Sequence, residues 1–455
     1  YVQVKTEVPV YLNKKQKANT PMPALDFIHE FRLSDAPDYA VERCFLSLLD
    51  LLGIAAAATQ TRLSAIIRDH SAEEFGGPLP MMFDNRCSSA QGVALAAGMT
   101  IDSLDGHDGF NPAKGHIGCP LFPAIFAMAL ENDLTGTEFL EALLMGYEFG
   151  ARASVAQHAT VPDYHTSGSW GAVTAASACA RLMRLSPEET RHALGIAEYH
   201  GPRSQMMRCI DHPTMLKDGS GWGAMTGVAA AKLARKGFTG APAITIEEAD
   251  SYWADLGERW YMSEQYYKPY PVCRWAQAPI EGARSLMEQH GFRANEVQRI
   301  EVDTFHEAVR LATNSPRTTE EAQYSTSFPV AVALARGDVR AADVSDDGLN
   351  DPEILRLSHC LTMRENDAAN RDFPARRLAK VTITLNDDQV FFGEWMEPRW
   401  DATHPPSAQE LMDKYHSLAD PALGTKRAQS ILEAVNGLTE TKASVLLDLL
   451  TGAIE

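Results

Sequence analysis

Apolar residues along most of the chain recur at the spacing of amphipathic helices. One stripe at positions i, i+3, i+4, i+7, i+8 and i+11 consists of Val41, Cys44, Phe45, Leu48, Leu49 and Leu52. A hydroxyl residue followed three places later by Glu, the spacing of a capping box, predicts helix starts at Thr135, Ser186, Thr245, Thr318 and Ser407. Two segments rich in small residues, 171–183 and 227–237, predict helices in the middle of a core. The pattern therefore predicts an almost wholly helical region from Ala24 to about residue 265.

The pattern changes after residue 265. Apolar and polar residues alternate over 297–303, which predicts a half-buried strand. Residues 381–385 and 390–392 flank a polar turn, as the two strands of a hairpin do. Helical segments are predicted at 279–289 and 320–335, and again from about Pro405.

The predicted fold is mainly α. It has a large all-helical domain (24–266 plus 402–455) and a smaller α+β lid domain (267–401) inserted before the C-terminal helices. Residues 1–23 form a predicted lead-in segment.

Composition narrows the function class. The net charge of −19 over 455 residues argues against a nucleic-acid partner, which requires a basic face. The seven cysteines are scattered without a CxxC pair, so neither a zinc knuckle nor a disulfide framework is expected. The longest apolar run, 45–58, is too short to span a membrane and contains Asp50. We therefore expect a cytoplasmic protein with no membrane partner.

Candidate chemistry concentrates in residues 101–124, where glycines and prolines predict a loop between two buried helices. Asp105, His107, Asp108 and His116 lie within this loop. A histidine titrates near neutral pH, and a neighbouring carboxylate can fix its tautomer, so the loop is a candidate acid–base site. Two alternatives stay open: a solvated loop with ordinary capping aspartates, and a metal site of the two-histidine, one-carboxylate kind.

Three further positions offer groups for an anionic ligand. His165 precedes a hydroxyl-rich start of the helix predicted at 171–183, which either binds a carboxylate or is merely capped. Lys217 precedes a glycine-rich turn in an order unlike that of a phosphate-binding P-loop, so an anion site competes with an exposed lysine. Lys268 and Arg274 lie where the helical region meets the α+β region, a place for a cleft or for a packed hinge.

Five stretches together resemble the 2-methylcitrate dehydratase (MmgE/PrpD) family, which also includes cis-aconitate decarboxylases and iminodisuccinate epimerases. They are SLDGHDGF with KGHIGCPLFPA, HTSGSWGAVTAA, LKDGSGWGAMTGVAAAKLARKGFTGAP, YKPYPVCRWAQAPIEGA and TTEEAQYSTSFPVAVAL. The resemblance implies a helical domain with an α+β lid, a homodimer, no metal or organic cofactor, and a pocket for di- or tricarboxylates. The family's functional positions match Asp105, His116, His165, Lys217 and Lys268.

The chain departs from the family pattern at four places. The usual Asp-Asp pair is His107-Asp108, and the usual proline after the loop histidine is Ile117. Cys273 stands where a histidine is often found, and Phe328 where a tyrosine is expected. These departures bear on the substrate and argue against a decarboxylase that relies on the last two groups.

The expected function is a hydro-lyase acting on a small polycarboxylate such as 2-methylcitrate. His116, oriented by Asp105, would move the proton next to a carboxylate, with His165 as partner acid. Lys217 and Lys268 would stabilise the developing charge. Arg274 and Asp108 complete the expected substrate-binding set. Decarboxylation and epimerisation are alternatives in the same pocket. A metal-dependent hydrolase and a non-catalytic carboxylate-binding protein are the alternatives from other classes.

Overall fold

Eleven helices occupy the first part of the chain in the computed structural model, which describes residues 23–161, 163–346 and 348–454. They are α1 (Pro23–Glu30), α2 (Asp38–Ala58), α3 (Arg62–Glu74), α4 (Ala90–Asp102), α5 (Gly118–Glu131), α6 (Gly136–Thr160), α7 (Gly168–Leu182), α8 (Pro187–His200), α9 (Met206–Asp211), α10 (Ser220–Arg235) and α11 (Ile244–Glu247). The predicted lead-in segment lies outside the described residues as far as residue 22, and α1 begins at Pro23.

The two helices rich in small residues form the centre of the helical part, as predicted. α7 and α10 pack against each other, and α4, α5 and α8 pack around them. Gly227 of α10 faces Ala175 of α7 so closely that a Cβ on the glycine would overlap the alanine side chain. Small side chains therefore set the separation of these helices, which carry site residues at their N-terminal ends.

A helix begins at four of the five predicted places, and the complete capping box forms at three of them. Thr135, Ser186 and Ser407 each accept from the backbone three residues on, and the glutamate at that position accepts in return. Thr318 makes only the first of these two bonds. The prediction at Thr245 is wrong, because this residue lies inside α11 and its backbone N donates to the Glu198 carboxylate instead. A distant side chain has replaced the local partner.

The second part of the chain combines one sheet with helices. Strands β5 (Val297–Thr304), β6 (Leu361–Glu365), β7 (Ala379–Leu385) and β8 (Val390–Met396) form a four-stranded sheet in the order β6-β5-β7-β8. β5 pairs in parallel with β6, and the other two pairings are antiparallel. The helices of this part are α12 (Arg274–His290), α13 (His306–Arg310), α14 (Thr319–Tyr324), α15 (Phe328–Arg336), α16 (Pro352–His359) and α17 (Asp367–Asp372). The mainly α fold with a smaller α+β part is confirmed.

Two predicted segments have different limits in the structure. The helix predicted at 320–335 is divided into α14 and α15, because Ser325 Oγ accepts from the backbone N of Ser327 and Phe328 and so competes with helical bonds. The loop predicted at 101–124 covers only 103–117, since α5 begins at Gly118. Pro120 lies in the first turn of α5, where a backbone N–H has no intrahelical acceptor.

Two short antiparallel pairs supplement the main sheet. β1 (Leu79–Pro80) pairs with β2 (Cys87–Ser88), and β3 (Gly109–Phe110) pairs with β4 (Gln265–Tyr266). The second pair joins the loop after α4 to the segment that leads into α12. It brings two parts of the sequence that carry candidate chemistry into direct contact.

The chain ends in three helices, α18 (Ala408–Leu423), α19 (Thr425–Asn436) and α20 (Ala443–Leu450). α18 and α19 pack on α2, and α20 packs on α5. Lys414 of α18 also donates to the carbonyl oxygen of Gly106 at 2.6 Å, inside the loop after α4. The assignment of these helices to one domain with 24–266 remains a prediction.

Candidate active site

A cavity of about 220 Å³ opens between the loop after α4 and the start of α12. Its charged and amide side chains are Asp102, Asp105, Asn111, Lys114, His116, Asp218, Lys268, Arg274, Glu307 and Arg377. Tyrosines and apolar residues cover the remaining wall, among them Tyr164, Met206, Tyr266, Trp275, Tyr324 and Phe373. Acids, an imidazole and cations therefore meet in a partly apolar space, which strengthens electrostatic interactions.

Four of the seven predicted site residues line this cavity: Asp105, His116, Lys268 and Arg274. Asp108, His165 and Lys217 are also buried, but among the described residues they are not part of the cavity wall.

His116 presents one defined ring nitrogen to the cavity. Its Nδ1 lies 2.6 Å from the carbonyl oxygen of Asp108. A carbonyl can only accept, so Nδ1 carries the proton and the neutral ring keeps an unprotonated Nε2. Nε2 lies 3.8 Å from Asp105 Oδ1 and 3.9 Å from Asp218 Oδ2. Burial and the charge of Lys268 lower the pKa of His116 against the opposing effect of these carboxylates. The ring is thus available as a base.

The backbone of His116 is fixed by the start of α7. Its N–H donates to Ser167 Oγ at 2.9 Å, and its carbonyl accepts from Trp170 Nε1 at 3.1 Å. Ser167 Oγ in turn donates to Asp218 Oδ2 at 2.6 Å. The Ser167 hydroxyl at this helix start therefore holds the His116 backbone and a cavity-lining carboxylate in place.

Asp105 and Lys268 form a buried ion pair in the cavity wall. Lys268 Nζ contacts the Asp105 carboxylate and also donates to the Asp105 carbonyl oxygen at 3.3 Å. Burial alone would raise the pKa of Asp105, but the charges of Lys268 and Lys217 outweigh it and lower that pKa. The pKa of Lys268 is raised because its attraction to Asp105 and its neighbours exceeds the effect of burial. Both groups therefore stay charged.

Lys217 lies behind the cavity wall, close to the same aspartate. Its Nζ donates to Gln323 Oε1 at 3.0 Å, and that oxygen also accepts from the backbone N of Asp105 at 2.9 Å. Nζ lies 4.8 Å from the ring centroid of Tyr324, which does line the cavity. The backbone of Lys217 has a φ of 49°, in the left-handed region that side chains rarely adopt. Such strain is concentrated at functional sites.

Asp108 belongs to a buried layer beneath the cavity. Its Oδ2 accepts from the Tyr147 hydroxyl at 2.6 Å. Burial and the nearby Asp50 raise the pKa of Asp108 to about 7, although Tyr147 and Lys414 act in the opposite direction. A Cβ on Gly118 would collide with the Tyr147 hydroxyl and with this carboxyl group. The Asp108 side chain therefore does not line the cavity. Asp108 influences the site through its carbonyl oxygen, which accepts from His116 Nδ1.

Two other predicted residues already have protein partners. His165 Nδ1 lies 2.7 Å from the Asp163 carbonyl oxygen. Arg274 donates through Nη2 to Asp401 at 2.7 Å and lies over the Tyr266 ring at 4.2 Å, while its buried Nε has no partner among the described residues. Arg274 is thus held in the cavity wall by protein partners, with one buried N–H left without an acceptor among the described residues.

Sequence reasoning missed five residues: Asp102, Asp218, Gln323, Tyr324 and Arg377. The first four lie within or beside the recognised motifs. Asp102 accepts from Ser220 N at the start of α10 at 3.0 Å, and burial raises the pKa of both Asp102 and Asp218. Arg377 lies outside every motif, and no sequence signal separates it from the neighbouring Arg376.

The metal alternative has a geometric basis, since ligand atoms of Asp105, His107 and His116 lie within 4.8 Å of one another. However, Asp105 is already paired with Lys268, and the positive charge of Lys268 also acts on His116, whose pKa it lowers. A divalent ion would have to displace or repel the Lys268 ammonium. The donor set therefore fits a metal poorly.

Comparison with known families gives the same assignment as the motifs. The MmgE/PrpD N-terminal domain matches residues 25–257, and the MmgE/PrpD C-terminal domain matches residues 270–440. The chain belongs to the MmgE/PrpD family. The resemblance found in the motifs is thereby confirmed. The matched regions contain six of the seven predicted site residues, and Lys268 lies in the short segment between them.

Curated relatives of this MmgE/PrpD protein carry decarboxylase names. A cis-aconitate decarboxylase from Aspergillus terreus is 25% identical, with 78% of this chain and 81% of the relative covered. The cis-aconitate decarboxylase-like protein oryM from Aspergillus oryzae is 23% identical, with 96% and 98% covered. The family assignment and these similarities together indicate an enzyme of the MmgE/PrpD type. Among the described residues, no helix combines the length and apolar character needed to cross a bilayer.

Proposed function

We propose that this MmgE/PrpD enzyme is a cofactor-independent lyase that removes the proton next to a carboxylate of a small di- or tricarboxylate. The observation that carries the proposal is the orientation of His116, whose protonated Nδ1 is bound to a carbonyl and whose free Nε2 faces the cavity. The names of the relatives support a polycarboxylate substrate. The cavity volume of about 220 Å³ suits a small metabolite.

Removing such a proton leaves negative charge on the adjacent carboxylate. Lys268 lies in the cavity wall and supplies a fixed positive charge there, although Asp105 partly neutralises it. Lys217 adds positive potential from behind Tyr324. Preorganised charges of this kind stabilise a developing enolate without reorganisation during the reaction.

Loss of a hydroxyl is assisted by an acid within reach of the leaving oxygen. Asp218 fits this role because its Oδ2 lies 3.9 Å from His116 Nε2 and burial raises its pKa, which favours the protonated form. His165, the acid expected from sequence, is the second candidate. It ranks below Asp218 because its loop would have to move to bring it into the cavity.

The carbanion has two possible fates. Departure of a hydroxyl gives a dehydratase, which we favour because Asp218 provides an acid. Return of the proton to the opposite face gives an epimerase. A decarboxylase, the activity named in the relatives, would instead form a related carbanion by breaking the bond to a carboxylate with loss of carbon dioxide, and protonated His116 would then deliver a proton to that carbon.

The deciding experiment is a turnover panel with 2-methylcitrate, citrate, cis-aconitate and iminodisuccinate, followed by NMR in D₂O with and without EDTA. We expect one substrate to lose water and all accepted substrates to exchange their acidic C–H for deuterium, with EDTA having no effect. Binding without turnover or exchange would support a non-catalytic carboxylate-binding protein. Stoichiometric metal together with loss of activity in EDTA would support the hydrolase alternative.

A further inference from the structure

Arg377 is a buried guanidinium in the cavity wall for which the described part of the chain supplies no hydrogen-bond or ion-pair partner. It is 9% exposed and lines the cavity from the segment between α17 and β7. Its Nε is fully buried and unsatisfied. Glu307 lies on the same cavity wall, yet no ion pair within 4 Å joins these two described residues.

The other two buried cations that line the cavity are paired within the protein itself. Lys268 is paired with Asp105, and Arg274 is paired with Asp401 at 2.7 Å. Even the adjacent Arg376, which is exposed, pairs with Glu397 at 2.7 Å. Arg377 is therefore the exception among the buried cavity cations.

An unpaired buried cation is unfavourable, because desolvation is not offset by an opposite charge. The neighbouring Arg274 increases this cost. Burial lowers the pKa of Arg274, and the positive charge of Arg377 acts in the same direction. A protein with a net charge of −19 has many carboxylates that could have neutralised this position. An anionic ligand would satisfy it.

We propose that Arg377 binds a second carboxylate of the substrate, remote from the carbon that His116 deprotonates, and so selects di- and tricarboxylates over monocarboxylates. A carboxylate can accept two parallel N–H bonds from a guanidinium, which gives both affinity and orientation. This inference rests on the proposed function in taking the substrate to be a polycarboxylate.

The test separates binding from catalysis by using the inert tricarboxylate tricarballylate, with butyrate as the monocarboxylate. Isothermal titration calorimetry is performed on the full chain and on Arg377→Gln, Arg377→Lys and Arg376→Gln. We expect Arg377→Gln to weaken tricarballylate binding about 10- to 100-fold, the usual effect of losing a charge-assisted bond. The tricarballylate affinity of Arg377→Lys should lie between those of the wild type and Arg377→Gln. The affinity of Arg376→Gln should equal that of the wild type. Butyrate binding should be weak and insensitive to all three changes.

Equal tricarballylate affinity in Arg377→Gln and the wild type would overturn the inference, as would failure of the wild type to bind tricarballylate at 10 mM. Thermal melting of each variant identifies any that is unfolded. If Arg377→Gln is unfolded, the affinity of Arg377→Lys is compared with that of the wild type instead. If binding depends on Arg377 while the turnover panel shows no reaction, the carboxylate site stands and the lyase proposal fails. If turnover occurs with KM and kcat unchanged in Arg377→Gln, the lyase proposal stands and the inference fails.

Discussion

The ammonium of Lys268 contacts the carboxylate of Asp105 and lies 3.3 Å from the carbonyl oxygen of the same residue. One side chain thus binds both the charge and the backbone of the loop after α4. The pairing of β3 with β4 brings the two segments together, and the ion pair links them again at the cavity. The side chains of Lys268 and Asp105 are only 1% and 12% exposed, respectively, so solvent screens their interaction weakly.

Lys268→Met should lower the free energy of unfolding by about 3–5 kcal/mol, because it leaves the Asp105 carboxylate buried without its partner. The double variant Asp105→Asn/Lys268→Met should recover much of this loss, since no uncompensated charge remains. Urea unfolding of the four proteins in this double-mutant cycle provides the measurement. A double variant no more stable than Lys268→Met would contradict the assignment of the loss to the unpaired carboxylate.

The acid limb of the kcat/KM profile should have its midpoint below pH 6.5. Catalysis needs neutral His116, and burial together with Lys268 lowers the pKa of this residue from 6.5. Protonation, and hence loss of activity, therefore occurs only at lower pH. In Lys268→Met, a cation that disfavours the imidazolium is gone, so the limb should move to higher pH. An unchanged or acid-shifted limb in that variant would contradict the role given to His116.

His116→Ala should reduce kcat by roughly 10²–10⁴-fold, the usual contribution of a positioned general base. Deuterium exchange of the substrate C–H in D₂O should decline in parallel, whereas tricarballylate binding should change little. His404→Ala, at an exposed histidine outside the cavity, is the matched control and should retain full activity. Near-normal exchange in His116→Ala would place the base elsewhere.

Asp218→Asn separates the acid from the base. The amide oxygen can still accept from Ser167 Oγ, so the His116 backbone should remain fixed, but the proton donor to the leaving hydroxyl is lost. We expect dehydration to slow by at least about 10²-fold while deuterium exchange persists. His165→Gln, measured alongside, tests the alternative acid. Loss of dehydration only in the His165 variant would transfer the role to that residue.

Local signals made most of the helical architecture predictable. Thr135, Ser186 and Ser407 determine helix starts through bonds to residues three positions away, which sequence spacing reveals directly. The prediction at Thr245 failed because Glu198, distant in sequence, provides the capping carboxylate. β6 was missed because its pairing with β5 depends on a partner about sixty residues away rather than on a turn.

The site was partly predictable for a similar reason. His116, Asp105 and Lys268 lie in recognisable motifs, so their convergence could be expected. The roles of Lys217 and Asp108 could not, because each acts through an intermediary: Gln323 for the lysine and a backbone carbonyl for the aspartate. Arg377 differs from Arg376 only in its surroundings, and no periodicity or spacing reports which of two adjacent arginines is buried.

The bond from Lys414 to the Gly106 carbonyl, together with the contact of the same ammonium with Asp50, has a consequence for partial genes and truncated products. A fragment restricted to residues 25–257 would contain the region that matches the family's N-terminal domain. It would lack the contacts of Lys414 from α18 and the cations at positions 268, 274 and 377. Such a fragment would contain the imidazole of His116 but not the cations that complete the cavity around it. We therefore expect the N-terminal domain alone to be inactive.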